Sequence, residues 1–185
     1  EVIMGQSELL GTVLRLPMVY GPGDPLHRFF PLLKRISDGR SFALLADDLA
    51  AWRGPRGYVE NIAHAIAIAA TSDRSAGQTY NVCEEPALSE IRWQKRIAQQ
   101  AGWTGTFVVL PRKQIPKHLL QPGNALQHVV VSSKRIRSEL LYQESVGADE
   151  AIRRTIGWER QNPPSIINSQ QFDYESEDAA LGKTA

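Results

Sequence analysis

The chain has 185 residues, 42% hydrophobic and 22% charged, the balance of an ordinary folded globular protein and enough to bury the core of one domain or part of a larger one. A net charge of +1 argues against a general polyanion binder, the single Cys83 excludes an internal disulfide and a cysteine-rich zinc site, and no apolar run is long enough to span a bilayer. The first residues do not read as a signal peptide, so a reducing, cytoplasmic setting is the expectation.

Residues 1–10 read as the end of a helix stopped by Gly11, and a helix end without its beginning predicts a truncated chain. From Val13 to Tyr20 the run is apolar and β-branched, the pattern of a strand buried on both faces. Gly21-Pro22-Gly23-Asp24-Pro25 then ends the strand and starts a helix, with Asp24 as cap and Pro25 at the first helical position. The carboxyl end of such a strand is where open α/β sheets place their ligands. Residues 24–38 repeat apolar positions at helical spacing, with a kink expected at Pro31. A short strand is predicted over 41–46 and an irregular connection over 47–58. Asn61 should cap a helix over 62–71 that is apolar nearly all round and therefore buried.

Further on, a strand over 78–82 leads into Cys83 and the acidic turn Glu84-Glu85-Pro86. Ser89 caps a helix over 90–101, and 106–110 is a β-branched strand. A short helix interrupted by Pro116 covers 114–120, a turn 121–124 and a strand 128–131. Ser132 or Ser133 caps the helix holding Ile136 and Leu140, and Asp149 caps a last helix through Trp158. Pro163-Pro164 ends the fold, and the polar, then acidic residues 164–185 are expected to be a disordered tail. The fold class is α/β.

Leu14-Arg15-Leu16-Pro17-Met18-Val19-Tyr20-Gly21-Pro22-Gly23 resembles the segment after the sixth core strand of extended short-chain dehydrogenases/reductases, the NAD-dependent epimerase/dehydratase group. Tyr58-Val59-Glu60-Asn61-Ile62-Ala63 is similar to that family's Val-Asp-Asp-Val-Ala segment, and Tyr80-Asn81-Val82 to its Tyr-Asn-Val strand, with Cys83 replacing Gly. Ser132 to Leu140 resembles its Asp-x-Ser-Lys-x-x-x-Glu-Leu helix, with Ser132 replacing Asp. The resemblance covers roughly residues 1 to 163. It implies the carboxyl-terminal part of a Rossmann-like parallel sheet plus a small α/β substrate-binding lobe, with the amino-terminal half lying upstream.

The family works with NAD or NADP through a Tyr-x-x-x-Lys pair, in which the lysine lowers the tyrosine pKa. Four residues after Tyr20, Tyr58, Tyr80, Tyr142 and Tyr174 stand Asp24, Ile62, Glu84, Val146 and Asp178, so the pair is missing, as is a glycine-rich phosphate loop. Alone, the chain should be inactive, with no catalytic residue of its own. By position in the family, Pro17, Met18 and Val19 would border the nicotinamide, although core packing at a strand end explains the same residues. Tyr20 and His27 are substrate-side candidates, His27 against the plainer reading of a surface histidine. Arg53 and Arg56 flank the family's diphosphate-gripping position without the alignment choosing between them, and a solvated loop arginine is the alternative for each. Met18 stands where many sugar-nucleotide members have Asn, and residues 120–127 lack a second arginine, so a smaller or less charged substrate competes with a nucleotide sugar.

No His/Asp/Glu cluster has metal-ligand spacing. His64 reads as a core histidine, and Asp47-Asp48 as a solvated loop. Basic pairs such as Arg112-Lys113 read as outward faces, so nucleic acid is not an expected partner. The expected partners are a small-molecule substrate and the missing amino-terminal half, with a homodimer among the assemblies left open. The reading is an oxidoreductase part; a nucleotide-sensing or partner-binding protein on the same scaffold is the alternative.

Overall fold

The structure, a computed structural model, describes residues 10–182. The helix end expected over residues 1–10 falls almost wholly outside them. Val13 to Tyr20 is extended as expected but is cut in two. Strand β1 (Val13–Arg15) and strand β2 (Met18–Tyr20) are separated by Leu16-Pro17. Pro17 has no N–H to give to a ladder, and a strand generally breaks where that donor is lost. The two halves take different partners. β1 pairs with β5 (Thr79–Asn81), Leu14 opposite Tyr80, while β2 pairs with β4 (Arg56–Tyr58), Val19 opposite Gly57. A third pair joins β3 (Phe42–Ala46) to β6 (Thr106–Leu110). All three pairs are parallel, which requires long crossovers, and helices supply them.

The helices are α1 (Phe30–Ser37), α2 (Asp47–Ala51), α3 (Val59–Thr71), α4 (Glu90–Gln100), α5 (Lys134–Glu139), α6 (Ala148–Gln161) and α7 (Tyr174–Gly182). On one side of the broken strand, α3 and α5 press Ile62, Ala65, Ile136 and Leu140 onto Tyr80 and Val82. On the other side, Tyr20 and Phe29 meet Trp93 and Ile97 of α4 and Ile152 of α6. The halves approach closely at Gly57, where an added Cβ would stand 2.7 Å from Ile62 Cδ1 and 2.9 Å from Pro17 Cγ. At Gly21, with φ of +142°, an added Cβ would stand 2.5 Å from Val59 Cγ1. Only glycine fits both places.

Several local expectations are corrected. The helix expected from the Asp24-Pro25 turn starts only at Phe30, and Pro31 lies in its first turn instead of kinking it, because a missing N–H costs nothing there. Residues 47–58 hold α2 and β4. The helix expected from 62 begins at Val59, so Asn61 lies inside it, where its amide clamps the main chain of Val146 in both directions at 2.9 Å. Ala63, His64, Ile66 and Ala67 are exposed, so α3 buries one side only and His64 is no core histidine. Residues 128–131 form no strand, and 114–120 contributes part of two short 3-10 turns.

The largest correction is the tail. Where polarity predicts disorder over 164–185, residues 169–172 form a 3-10 turn and α7 docks against α1. Its carboxylates face Arg35 and Arg40. Arg35 Nη2 donates to Glu177 Oε1 at 2.6 Å, His118 Nε2 lies 3.0 Å from the same oxygen, and Glu177 is fully buried. Tyr174 donates to Asp38 Oδ2 at 2.6 Å, and the Arg35 guanidinium sits 5.0 Å over the Phe172 ring. Removing one partner of a buried ion pair strands the other. Glu177→Ala is therefore expected to cost about 3 kcal/mol in urea denaturation and to open residues 169–182 to limited proteolysis. Glu150→Ala, at an exposed pair with Arg154, should leave the denaturation midpoint where it is.

Candidate functional site

The carboxyl end of β2 opens into a cavity of about 810 Å3. Period-two alternation along β2 turns Met18 and Tyr20 to the same side, and both line it. The strand β3 and the helix α2 supply Leu44, Leu45 and Leu49, and α4 supplies Trp93. Tyr20 stacks on Phe29 at 5.6 Å between centroids and meets Trp93 edge-on at 5.0 Å, a rigid aromatic wall. Residues from Gln121 to Val129 close another side. They are fastened by Trp52 Nε1, which donates to the Gln127 carbonyl at 3.0 Å, and by the Val129 N–H, which donates to the Arg53 carbonyl at 2.9 Å.

Four arginines reach this cavity, and each holds a carboxylate. Arg56 pairs with Glu90, donates to the Gly54 and Leu88 carbonyls at 3.2 Å each, and lies 5.0 Å over the Trp93 ring. Burial pulls its pKa down against that ion pair. Arg35 is held by Glu177 and by the carbonyls of Pro31 and Gln171 at 2.9 and 3.0 Å. Arg28 pairs with Asp24 and donates to the Val19 carbonyl at 2.9 Å. Arg112 donates to Asp48 Oδ2 at 2.9 Å and to the Gln121 carbonyl at 3.2 Å, and its side chain is the most open of the four at 41%. Asp47 accepts the Arg112 N–H at 3.1 Å, so the two aspartates start α2 and anchor Arg112 and are no solvated loop.

The residues singled out in the sequence separate. Met18 and Arg56 line the cavity with open side chains or guanidinium edges. Val19 points to the opposite cluster, with its carbonyl taken by Arg28. Pro17 packs against Gly57, and the Met18 N–H is engaged by the Pro55 carbonyl at 3.1 Å. Tyr20 is buried, and its hydroxyl donates to Glu84 Oε1 at 2.9 Å, so it contributes ring and not hydroxyl. Arg53 is exposed, lies outside the cavity lining and acts through its main chain. His27 also stands away from the cavity: at φ of 46° its ring stacks on Trp158 at 5.5 Å and Nδ1 meets the buried Glu159 Oε1 at 2.7 Å. Sequence reasoning missed Arg28, Arg112 and Trp52. Residues 120–127 hold no arginine, and only folding brings Arg112 onto that turn.

Among the described residues, no group of His, Cys, Asp or Glu could hold a metal ion, and no helix is long and apolar enough to cross a membrane. A second cavity of about 440 Å3 lies beyond Arg56 and is lined by Glu84, Arg96 and Arg137 among others. Glu84 accepts from the Tyr20 hydroxyl at 2.9 Å and from the Tyr58 N–H at 3.2 Å, and burial pushes its pKa above the usual carboxylate range.

Residues 2–83 match the model of the NAD dependent epimerase/dehydratase family. A search of curated proteins finds no match. Among solved structures, RMD from Pseudomonas aeruginosa complexed with NADPH aligns with 87% of this chain and 53% of its own, at a TM-score of 0.66 and 15% identity. UDP-glucose 4-epimerase from Thermus thermophilus in complex with NAD aligns with 86% of this chain and 50% of its own, at 0.62 and 25%. dTDP-glucose 4,6-dehydratase from Bacillus anthracis in complex with NAD aligns with 87% and 49%, at 0.65 and 15%. The chain thus spans about half the length of the structures it matches. The likeness to extended short-chain dehydrogenases/reductases, read from the strand at Leu14 to Gly23, is borne out, and so is the Rossmann-like α/β fold class.

The raised Glu84 pKa has a consequence for stability. The folded state holds this proton more tightly than the unfolded state, so the group's contribution is full below the unfolded value of 4.5 and falls as pH rises through the folded one. Glu84→Gln keeps the acceptor and removes the buried charge. It should raise stability by about 1 kcal/mol at pH 8 and give no gain at pH 4, read by urea denaturation at both.

Proposed function

We propose that this chain is the substrate-binding half of an NAD(P)-dependent epimerase/dehydratase-like oxidoreductase acting on a hydroxyl or carbonyl carbon. The observation that carries the reading is the break at Leu16-Pro17. It sits at the carboxyl end of a parallel strand, and the next residue, Met18, opens into the large cavity. The family match over residues 2–83 supports the redox chemistry, and relatives with NAD or NADPH bound support the cofactor.

The residues present fit only one edge of that cofactor. Pro17 has no donor, and the Met18 N–H already serves Pro55, so residues 17–18 would meet a nicotinamide without a main-chain N–H, through carbonyl oxygen and the Met18 side chain. Val19 contributes by placing Arg28 through its carbonyl. A bound nicotinamide would accept or return hydride at the substrate carbon. This chain's own work is to hold the substrate: Trp52 and Trp93 flank it, Arg56 is fixed by Glu90, and the turn at Gln121 to Val129 excludes water. The Tyr/Lys pair lies outside the chain, which alone binds without turning over.

The test is an assay of the full-length gene product for NAD(P)H-linked turnover across nucleotide sugars and small ketones, beside the 185-residue chain. Turnover by the first and none by the second is expected. Met18→Arg should lower kcat/KM about 100-fold, and Lys95→Ala, exposed on α4, should not change it. A full-length product that binds neither NADH nor NADPH would overturn the reading.

A further inference from the structure

We propose that the large cavity takes a substrate with an apolar body the size of an aromatic ring or two, bearing the hydroxyl or ketone and at most one negative charge, in place of a nucleoside diphosphate sugar. The inference rests on the functional reading above and names the substrate class of the same site.

The walls argue for an apolar body. Met18, Leu45, Leu49, Trp52 and Trp93 present hydrocarbon and aromatic faces to one space of about 810 Å3, within the range of small-molecule sites. The charges argue against a diphosphate. Arg28, Arg35, Arg56 and Arg112 each bond a carboxylate, so among the described residues every cavity cation is matched by Asp24, Glu177, Glu90 or Asp48. A diphosphate entering this space gives up its hydration and finds only shared guanidiniums. Pulling a guanidinium toward it would strand a carboxylate, and Asp24 and Glu177 are buried, where an unpaired charge is most costly.

Arg112 is paired like the other three but is the most exposed of them, and it sets the charge limit. Its side chain is 41% exposed, and it is anchored at the mouth by Asp48 and the Gln121 carbonyl. One accessible guanidinium suits one carboxylate or similar monoanion.

Isothermal titration calorimetry of the full-length gene product with three probes tests this: 4-phenylbutan-2-one, 4-phenylbutanoate and UDP-glucose. The ketone and the monoanion are expected to bind at least about tenfold more tightly than UDP-glucose. Arg112→Ala should weaken the monoanion about fivefold and leave the ketone unchanged. Leu45→Arg, checked for an unchanged circular dichroism spectrum, should abolish both. Tighter binding of UDP-glucose would overturn the substrate class and leave the functional reading standing. Failure of all three probes to bind a folded product that still binds NADH or NADPH would overturn the substrate class alone, and loss of nucleotide binding as well would overturn both. Equal loss of ketone and monoanion in Arg112→Ala would overturn the charge limit.

Discussion

A single missing hydrogen-bond donor organises this molecule. Pro17 cannot continue a ladder, so the extended run from Val13 to Tyr20 is shared between two sheets, β1 on β5 and β2 on β4. The break would be unstable if the freed groups were left alone. Instead the flanking donors and acceptors are taken at once: Val82 N–H donates to the Arg15 carbonyl at 3.0 Å and Met18 N–H to the Pro55 carbonyl at 3.1 Å. The result is a sharp change of partner with little lost pairing. It turns the chain from a sheet covered by α3 and α5 to one facing the cavity and the aromatic cluster, and it needs Gly57 to let the two sheets meet.

Around that cavity, electrostatics is settled by pairing more than by total charge. The sequence carries nearly equal numbers of basic and acidic residues, and folding distributes them so that each cavity arginine meets an acid from a different part of the chain or one turn away. Arg56 shows what this does. Its guanidinium is fixed by Glu90 and two carbonyls and pressed on Trp93, so it serves as a strut between the two cavities and keeps their walls apart. A strut of that kind shapes a pocket without giving it charge.

How much of this could be read in one dimension follows from the range of the interactions. The extended run, the Gly-Pro-Gly turn and the helix over residues 90–100 depend on neighbours in sequence and are legible. Burial on both faces of the run and a helix starting at Asp24-Pro25 are not found, since the run is broken at Leu16-Pro17 and half-exposed and α1 starts at Phe30. The segment 128–131 has the β-branched composition of a strand but no ladder partner, so composition misleads there. Residues 169–182 mislead in the opposite sense. Their acids look like a solvated tail until Arg35, His118 and Arg40 are placed opposite them, 59 to 142 residues away in the chain. Met18 is singled out by its position in the segment that resembles the family, and alternation along β2 turns it to the cavity. Arg112 is not singled out, because its approach to the turn at Gln121 is decided by where β6 ends against α2. His27 was misplaced for a similar reason: a left-handed backbone at that residue swings its ring to Trp158 and Glu159, away from the cavity.

The terminal helix is tied to the site through the same logic of pairing. Arg35 faces the cavity with one edge and Glu177 of α7 with another, and Leu119, which also lines the cavity, lies beside His118, the second partner of that carboxylate. Because a buried carboxylate tolerates no vacancy among its partners, α1, the 3-10 turn at 117–119 and α7 must take up their positions together. The wall of the cavity is in this way specified from three separated stretches of sequence. None of the three reads as part of a site alone, which is why the site becomes visible only once its charges are matched.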